Sequence, residues 1–213
     1  MRLIVIAMQS EAEMLIANIK PNDEGLYLLN VDTAVLVTGI GKVNAAAKLS
    51  YILAKYSVKS VFNIGLSGAT APFMLNEFVL VKEAQYHDFD LMVFGYERGQ
   101  VPKLPTRFTS DKELFNKIKA LGYRDTLLLT GDKFLQEQLE EKFLCDMEGA
   151  GLYQVCHIHK IPIVSVKMVS DIIGSKDHIQ QFKAFDQEQA GVEIKKIVQK
   201  VLAVLVWKKD WYF

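Results

Sequence analysis

Leu3-Ile4-Val5-Ile6-Ala7, followed at once by Met8-Gln9-Ser10-Glu11, opens the chain with a short apolar run that ends abruptly in polar residues. The run is continuous instead of alternating, as in a strand covered on both faces of a sheet. Ser10, Glu11 and Glu13 then suit a helix start, with a hydroxyl for the cap and carboxylates near the positive end of the helix dipole. The unit recurs. Residues 34–37, 61–64, 78–81, 126–129 and 163–166 are further buried runs. Helical patterns cover 10–19, 43–56, 111–121, 133–142, 148–159 and 182–206. Strands alternating with helices predict a three-layer α/β/α architecture around a central, mostly parallel mixed sheet. No linker or repeat interrupts it, so residues 1–213 read as a single domain. The segment 82–110 holds two of the five prolines and little periodicity, which predicts a long functional loop.

Half of the 213 residues are hydrophobic and 23% are charged, enough for a large core and incompatible with global disorder. Lys plus Arg and Asp plus Glu both number 25, so the basic excess of a nucleic-acid binder is missing. Cys145 and Cys156 are too few for a disulfide framework and read as reduced thiols. The first apolar run is too short for a signal peptide, and none approaches the ~20 residues that cross a membrane. The expectation is a cytoplasmic protein with neither a nucleic-acid nor a membrane partner.

Ligands of open α/β sheets bind beyond the carboxyl ends of the strands. The residues there are Met8–Glu11, Thr38-Gly39-Ile40-Gly41-Lys42, Gly65-Leu66-Ser67-Gly68, Asp146-Met147-Glu148 and Ser170-Asp171. Carboxylates, two glycine turns and a serine thus converge on one end of the sheet. The Gly39–Gly41 turn lacks the third glycine of a dinucleotide fingerprint, and both a ligand role and a plain tight turn stay open. Ser67 reads as a loop hydrogen-bonder and not a nucleophile, because the G-x-S-x-G elbow is absent. Glu11 and Glu148 fit catalysis or a helix start equally. Asp171 follows an apolar stretch, and a carboxyl in a dry setting is a potential proton donor. His157 and His159 are two apart, wrong for metal ligands on a helix, and His87-Asp88-Phe89-Asp90 lacks a further ligand at useful spacing. The aromatic tail, Trp207 to Phe213, is assigned no chemistry.

Blocks in order carry a family likeness. They are Ala7-Met8 with Glu11, Gly39-Ile40-Gly41-Lys42-Val43, Tyr86-His87-Asp88-x-Asp90, Phe94-Gly95-Tyr96-Glu97-x-Gly99-Gln100-x-Pro102, Gly131-Asp132-x-Phe134, Asp146-Met147-Glu148-x-Ala150 and Val169-Ser170-Asp171. From about Leu3 to Asp171 the chain resembles the 5′-methylthioadenosine/S-adenosylhomocysteine nucleosidases of the nucleoside phosphorylase superfamily. The resemblance implies a nucleoside phosphorylase-like fold and hydrolysis of the N-glycosidic bond between adenine and a 5′-thio-substituted ribose. It implies no metal, no cofactor, a homodimer and a place in methionine salvage. Asp171 then corresponds to the general acid, Glu11 to the water-activating base and Glu148 to the residue holding the ribose hydroxyls. Met147 packs beside the sugar, Phe134 stacks on adenine and the Leu135 backbone reads its edge. Met8, Ile40, Ser67, Lys167 and Ser170 fall in the matching substrate blocks. Phe94, Tyr96 and Pro102 border the 5′-substituent, partly from the neighbouring subunit. Three features depart from the family: the serine of Gly65-Leu66-Ser67-Gly68 is shifted by one, Lys167 replaces an arginine, and the segment 20–31 is short. A related phosphorylase, an aminofutalosine-type hydrolase and a weakly active nucleoside-binding homologue are the alternatives.

Overall fold

Side chains of a strand alternate between its two faces, and β1 (Arg2–Ile6) has a core on each. Leu3 and Val5 pack into one, Ile4 and Ile6 into the other, and all four are fully buried. A computed structural model describes residues 1–136, 142–185 and 187–205, with the side chain of Gln187 left out. The first core takes Ala45, Leu49 and Ile52 from α2 (Lys42–Lys55) and Leu152, Val155 and Cys156 from α4 (Gly149–His159). The second takes Ala12 and Ile16 from α1 (Gln9–Ile16), Ile118 from α3 (Lys112–Lys119) and Ile194, Ile197 and Val201 from α6 (Gln187–Val204). Helices therefore cover both faces, as the continuous apolar runs predict.

The other strands are β2 (Leu26–Asn30), β3 (Thr33–Val37), β4 (Ser60–Ala69), β5 (Phe78–Tyr86), β6 (Phe108–Thr109), β7 (Arg124–Thr130), β8 (Phe143–Asp146) and β9 (Ile163–Ile172). The sheet is mixed. β3, β1 and β4 run parallel, with β2 antiparallel on the outer edge. Beyond β4 the sheet closes on itself: β4 pairs with β9, β9 with β5, β5 with β7, β7 with β8, and β8 with the end of β4. This closed ring brings the ends of β4, β8 and β9 and the starts of α1 and α4 to one rim.

Closure explains where the chain departs from its local pattern. β4 and β9 run for 10 residues each, well past the four-residue apolar runs that announce them. Gly65–Gly68 is strand and not a glycine turn, so Ser67 is not a loop residue, and Asp171 likewise lies within β9. β4 and β9 pair with each other throughout these polar continuations, and β8 and β5 take up their other edges at Gly68–Ala69 and Val166–Met168. Lys82–Tyr86 of the expected long loop extends β5, and a short 3-10 turn at Met92–Phe94 and β6 interrupt the rest. The helix expected over 133–142 is absent from its described part: 133–136 are non-helical, 137–141 lie outside the described residues, and β8 begins at Phe143. The last helix is two. α5 (His178–Ala184) packs on β9 and α6 on α1, and Phe185 between them takes an extended conformation that lets the chain change partner. Val206 and the aromatic tail lie outside the described residues.

Ile64 is fully buried at the centre of β4, in the second core. Ile64→Ala should destabilise the fold by about 2–5 kcal/mol, measured as a lowered denaturant midpoint with unchanged slope.

Candidate active site

Glu11 comes from the first turn of α1 and is 3% exposed. The backbone N–H of Met8 donates to its Oε2 at 2.9 Å and that of Leu66 to its Oε1 at 2.7 Å. The cap of α1 is therefore Met8, closed back by Glu11, and Ser10 lies inside the helix. Burial raises the Glu11 pKa, and the two N–H donors only partly offset this. Gly65 is what admits the carboxylate, since a Cβ there would lie 2.9 Å from Glu11 Oε1.

Asp171 is placed by a second device. Ser67 pairs with Val169 and Gly68 with Asp171, so β9 carries one extra residue, Ser170, at this step. Such a bulge re-aims the side chains beside it. Ser170 Oγ donates to Asp171 Oδ1 at 2.6 Å, and His178 Nε2 lies 2.7 Å from Asp171 Oδ2. A Cβ at Gly68 would lie 2.6 Å from Asp171 Oδ2, so this position too is kept clear for a carboxylate.

Glu148 is the N-cap residue of α4, as its sequence position suggests, and its Oε1 accepts from the backbone N–H of Gly41 at 2.8 Å. That contact uses the turn before α2, where Gly39 and Gly41 have φ of 83° and 98°, values that favour glycine. Beside it lies a buried ion pair, Lys167 Nζ to Asp146 Oδ2 at 2.8 Å, with both side chains 2% exposed. Asp146 also accepts from Thr130 Oγ1 at 2.6 Å and from the Gly149 N–H. Burial alone would lower the Lys167 pKa, but Asp146, Glu148 and Glu11 outweigh it and hold it above the ordinary value. Burial, reinforced by the negative charge of Asp146, pushes the Glu148 pKa up to about 7.

Glu11, Glu148 and Asp171 line one cavity of about 110 Å³, with Met8, Ile40, Ser67, Phe134, Met147 and Ser170 in its wall. The Oγ of Ser67 is buried without a hydrogen-bond partner among the described residues. A cleft of about 30 Å³ continues from it between Phe134, Leu135, Cys145 and Ile173. Larger open grooves elsewhere, of about 810 and 750 Å³, lack this convergence of carboxylates. Lys167 does not line the cavity and stands behind Asp146. Phe94, Tyr96 and Pro102 stay outside it too, and Phe94 is 74% exposed. Asp88, from the His87–Asp90 stretch, binds Lys42 Nζ, and no group of three or more His, Cys, Asp or Glu among the described residues could hold a metal ion.

Two residues of this region escape a reading by position. Asp146 stands in the Asp146-Met147-Glu148 stretch, but its pairing with Lys167 crosses from β8 to β9 and leaves no local sign. His178 follows Asp171 by seven residues, and only the turn before α5 brings it back.

Fold and site together define an α/β protein of the phosphorylase superfamily, whose family model matches residues 2–203. The chain is 34% identical to a 5′-methylthioadenosine/S-adenosylhomocysteine nucleosidase of Chromohalobacter salexigens, over 77% of each protein. A solved nucleosidase of that name from Neisseria meningitidis, in complex with methylthio-immucillin-A, is 28% identical, with a TM-score of 0.86 over 96% of this chain and 99% of its own. Another, from Colwellia psychrerythraea in complex with adenine, is also 28% identical, with a TM-score of 0.86 over 96% and 95%. The chain belongs to the 5′-methylthioadenosine/S-adenosylhomocysteine nucleosidase family.

The raised Glu148 pKa has a consequence for stability. Between pH 4.5 and about 7 the unfolded chain loses this proton before the folded one does, so folding stability falls as pH rises through that window. The effect amounts to at most about 3 kcal/mol, and Glu11 adds to it in the same direction. Glu148→Gln should flatten the fall, measured by denaturant unfolding between pH 4.5 and 7.5.

Proposed function

We propose that the chain hydrolyses the N-glycosidic bond of 5′-thio-substituted adenine nucleosides, 5′-methylthioadenosine and S-adenosylhomocysteine, and releases adenine. It is an N-glycosidic hydrolase. The observation that carries this reading is the convergence of Glu11, Glu148 and Asp171 on one small cavity walled by Phe134 and Met147.

Adenine is a poor leaving group as an anion, so the base must gain a proton as the bond breaks. Asp171 is the general acid, with its carboxyl group held by Ser170 and His178. The ribose then carries oxocarbenium-like charge, and water attacks from the opposite face, as in inverting glycosidases. Glu11 is the base for that water. Each of its oxygens accepts one backbone N–H and keeps a lone pair for a proton. Its raised pKa makes it a stronger base than an exposed carboxylate. Glu148 uses Oε1 on Gly41 and offers Oε2 to the ribose hydroxyls, a bond that strengthens as ring charge grows. Phe134 stacks on adenine, the Leu135 backbone reads its edge, and Met8, Ile40 and Met147 flank the sugar. The unpartnered Ser67 hydroxyl is available to substrate or water. Lys167 acts through its charge from behind Asp146.

The attacking group is water and not phosphate. Phosphate recognition favours arginine forks, and among the described residues no arginine or lysine lines the cavity, Lys133 standing at the adjoining cleft. The compartment we propose is the cytoplasm, supported by two buried free thiols, and the role is methionine salvage. No helix among the described residues is long and apolar enough to cross a membrane.

Adenine release should proceed in phosphate-free buffer and yield free sugar. Asp171→Asn and Glu11→Gln should each lower kcat by about 10²–10⁴-fold, with adenine affinity largely kept in Asp171→Asn. Strict phosphate dependence with a sugar 1-phosphate product would favour the phosphorylase alternative. Adenine binding without turnover of any adenine nucleoside would favour a mere binder.

Met92, Val93 and Phe94 form an exposed apolar turn, with Tyr96 close by in sequence. Exposed aromatics of this kind favour interfaces, and the proposal is a homodimer in which Phe94, Tyr96 and Pro102 close the neighbouring pocket. Light scattering should give twice the chain mass, and Phe94→Asp should shift it toward the monomer. A fully active monomer would sink this.

A further inference from the structure

His178 lines neither the cavity nor its cleft, yet both of its partners do. It is 5% exposed. Its Nε2 lies 2.7 Å from Asp171 Oδ2, and its ring stacks on Phe134 with centroids 5.0 Å apart and planes inclined by 25°. It therefore stands behind the acid and the aromatic wall and touches both.

The backbone holds it there. Gly174, at φ 79°, turns the chain after β9, and the His178 N–H donates to Ser175 O at 3.3 Å. α5 is tied down by Gln181, whose Oε1 accepts from the Ile172 N–H at 2.8 Å. Imidazole supplies a flat face for a ring and an in-plane nitrogen for a carboxylate, and here the two are used at right angles to each other on different partners. The nitrogen matters because Ser170 Oγ already holds Asp171 Oδ1. With each oxygen tied to a different side chain, the carboxyl group cannot rotate about its Cβ–Cγ bond. The face matters because Phe134 is 38% exposed, and the other ring against it, Phe182, is tilted at 5.4 Å instead of stacked.

We propose that His178 is a positioning residue for the hydrolysis: one imidazole ring locks the plane of the Asp171 carboxyl group and the plane of the Phe134 ring, and so aligns proton donor and stacking face on the same adenine. The inference rests on the roles of Asp171 and Phe134 proposed above. Misplacement of a reacting group by about 1 Å can slow a reaction by about 10², so the carboxyl half of this role should appear in kcat. An aromatic pair contributes about 0.5–1.5 kcal/mol, roughly two- to twelvefold in affinity, so the stacking half should appear in KM and in adenine binding.

Two variants separate these halves. His178→Phe keeps a ring against Phe134 and loses the bond to Asp171. It should lower kcat by roughly 10–100-fold while KM and the adenine Kd stay within about threefold. His178→Gln keeps a polar atom for Asp171 and loses the ring. It should raise KM and the adenine Kd roughly two- to twelvefold with a smaller change in kcat. In single-turnover assays His178→Phe should add no further loss to Asp171→Asn, because it acts through that carboxyl group. Equal losses of kcat and affinity in both variants would overturn the proposal, as would a full additional loss in the Asp171→Asn background. If His178→Phe does not fold, judged by its melting transition, an unchanged adenine Kd in His178→Gln overturns it alone. Near-normal turnover by Asp171→Asn would instead overturn the acid assignment, whereas an inactive Asp171→Asn beside a fully active His178→Phe would overturn only the role of His178.

Discussion

Lys167 Nζ and Asp146 Oδ2 meet at 2.8 Å where both side chains are 2% exposed. Removing two charges from water costs several kcal/mol per ion, and close pairing with further hydrogen bonds is what offsets it. Asp146 collects those bonds from Thr130 and from the Gly149 N–H, one of the donors left unpaired where α4 begins. One pair thereby joins β7, β8, β9 and the start of α4. It also sets the position and the charge of what lies next to it. Glu148 follows Asp146 by two residues, and a single buried ammonium faces three buried carboxylates. Burial above all, with the negative charge of Asp146 added, makes Glu148 and Glu11 hold their protons more tightly than exposed glutamates do, and Lys167 only partly offsets it.

Space is the second constraint. Two carboxylates approach β4 within contact distance, and each meets a glycine there, Glu11 at Gly65 and Asp171 at Gly68. Glycine in the interior of a strand weakens it and often marks such a close approach. The weakness is tolerated because β9 pairs with β4 from Val61 to Ala69, while β1 holds the first part of its other edge and β8 the last. The extra residue in β9 completes the arrangement, because Ser170 bonds Asp171 Oδ1 and leaves Oδ2 to His178. Asp171, Glu11 and Glu148 thus come from three different elements, β9, α1 and the start of α4, and regular structure rather than loops sets their relative placement.

Much of this protein was legible in order along the chain. The apolar runs located six strands, because a strand covered on both faces must be apolar at every position. Glu11, Gly41, Ser170 and Asp171 stood out because they follow such runs, and the carboxyl ends of strands gather at one edge, whereas Glu148 stood out at a helix start within the Asp146–Ala150 block. The strand ends, β2, β6, β8 and the division between α5 and α6 were not legible. Backbone pairing with a distant neighbour extends β4 through Gly65–Gly68 against any local preference, and a change of packing partner breaks the last helix. The Lys167–Asp146 pair, the clearance at Gly65 and Gly68, and the contact of His178 with Asp171 were decided by tertiary structure alone. Each depends on which strands close the ring, and a sequence pattern records what a residue needs from its surroundings without recording which residue will supply it.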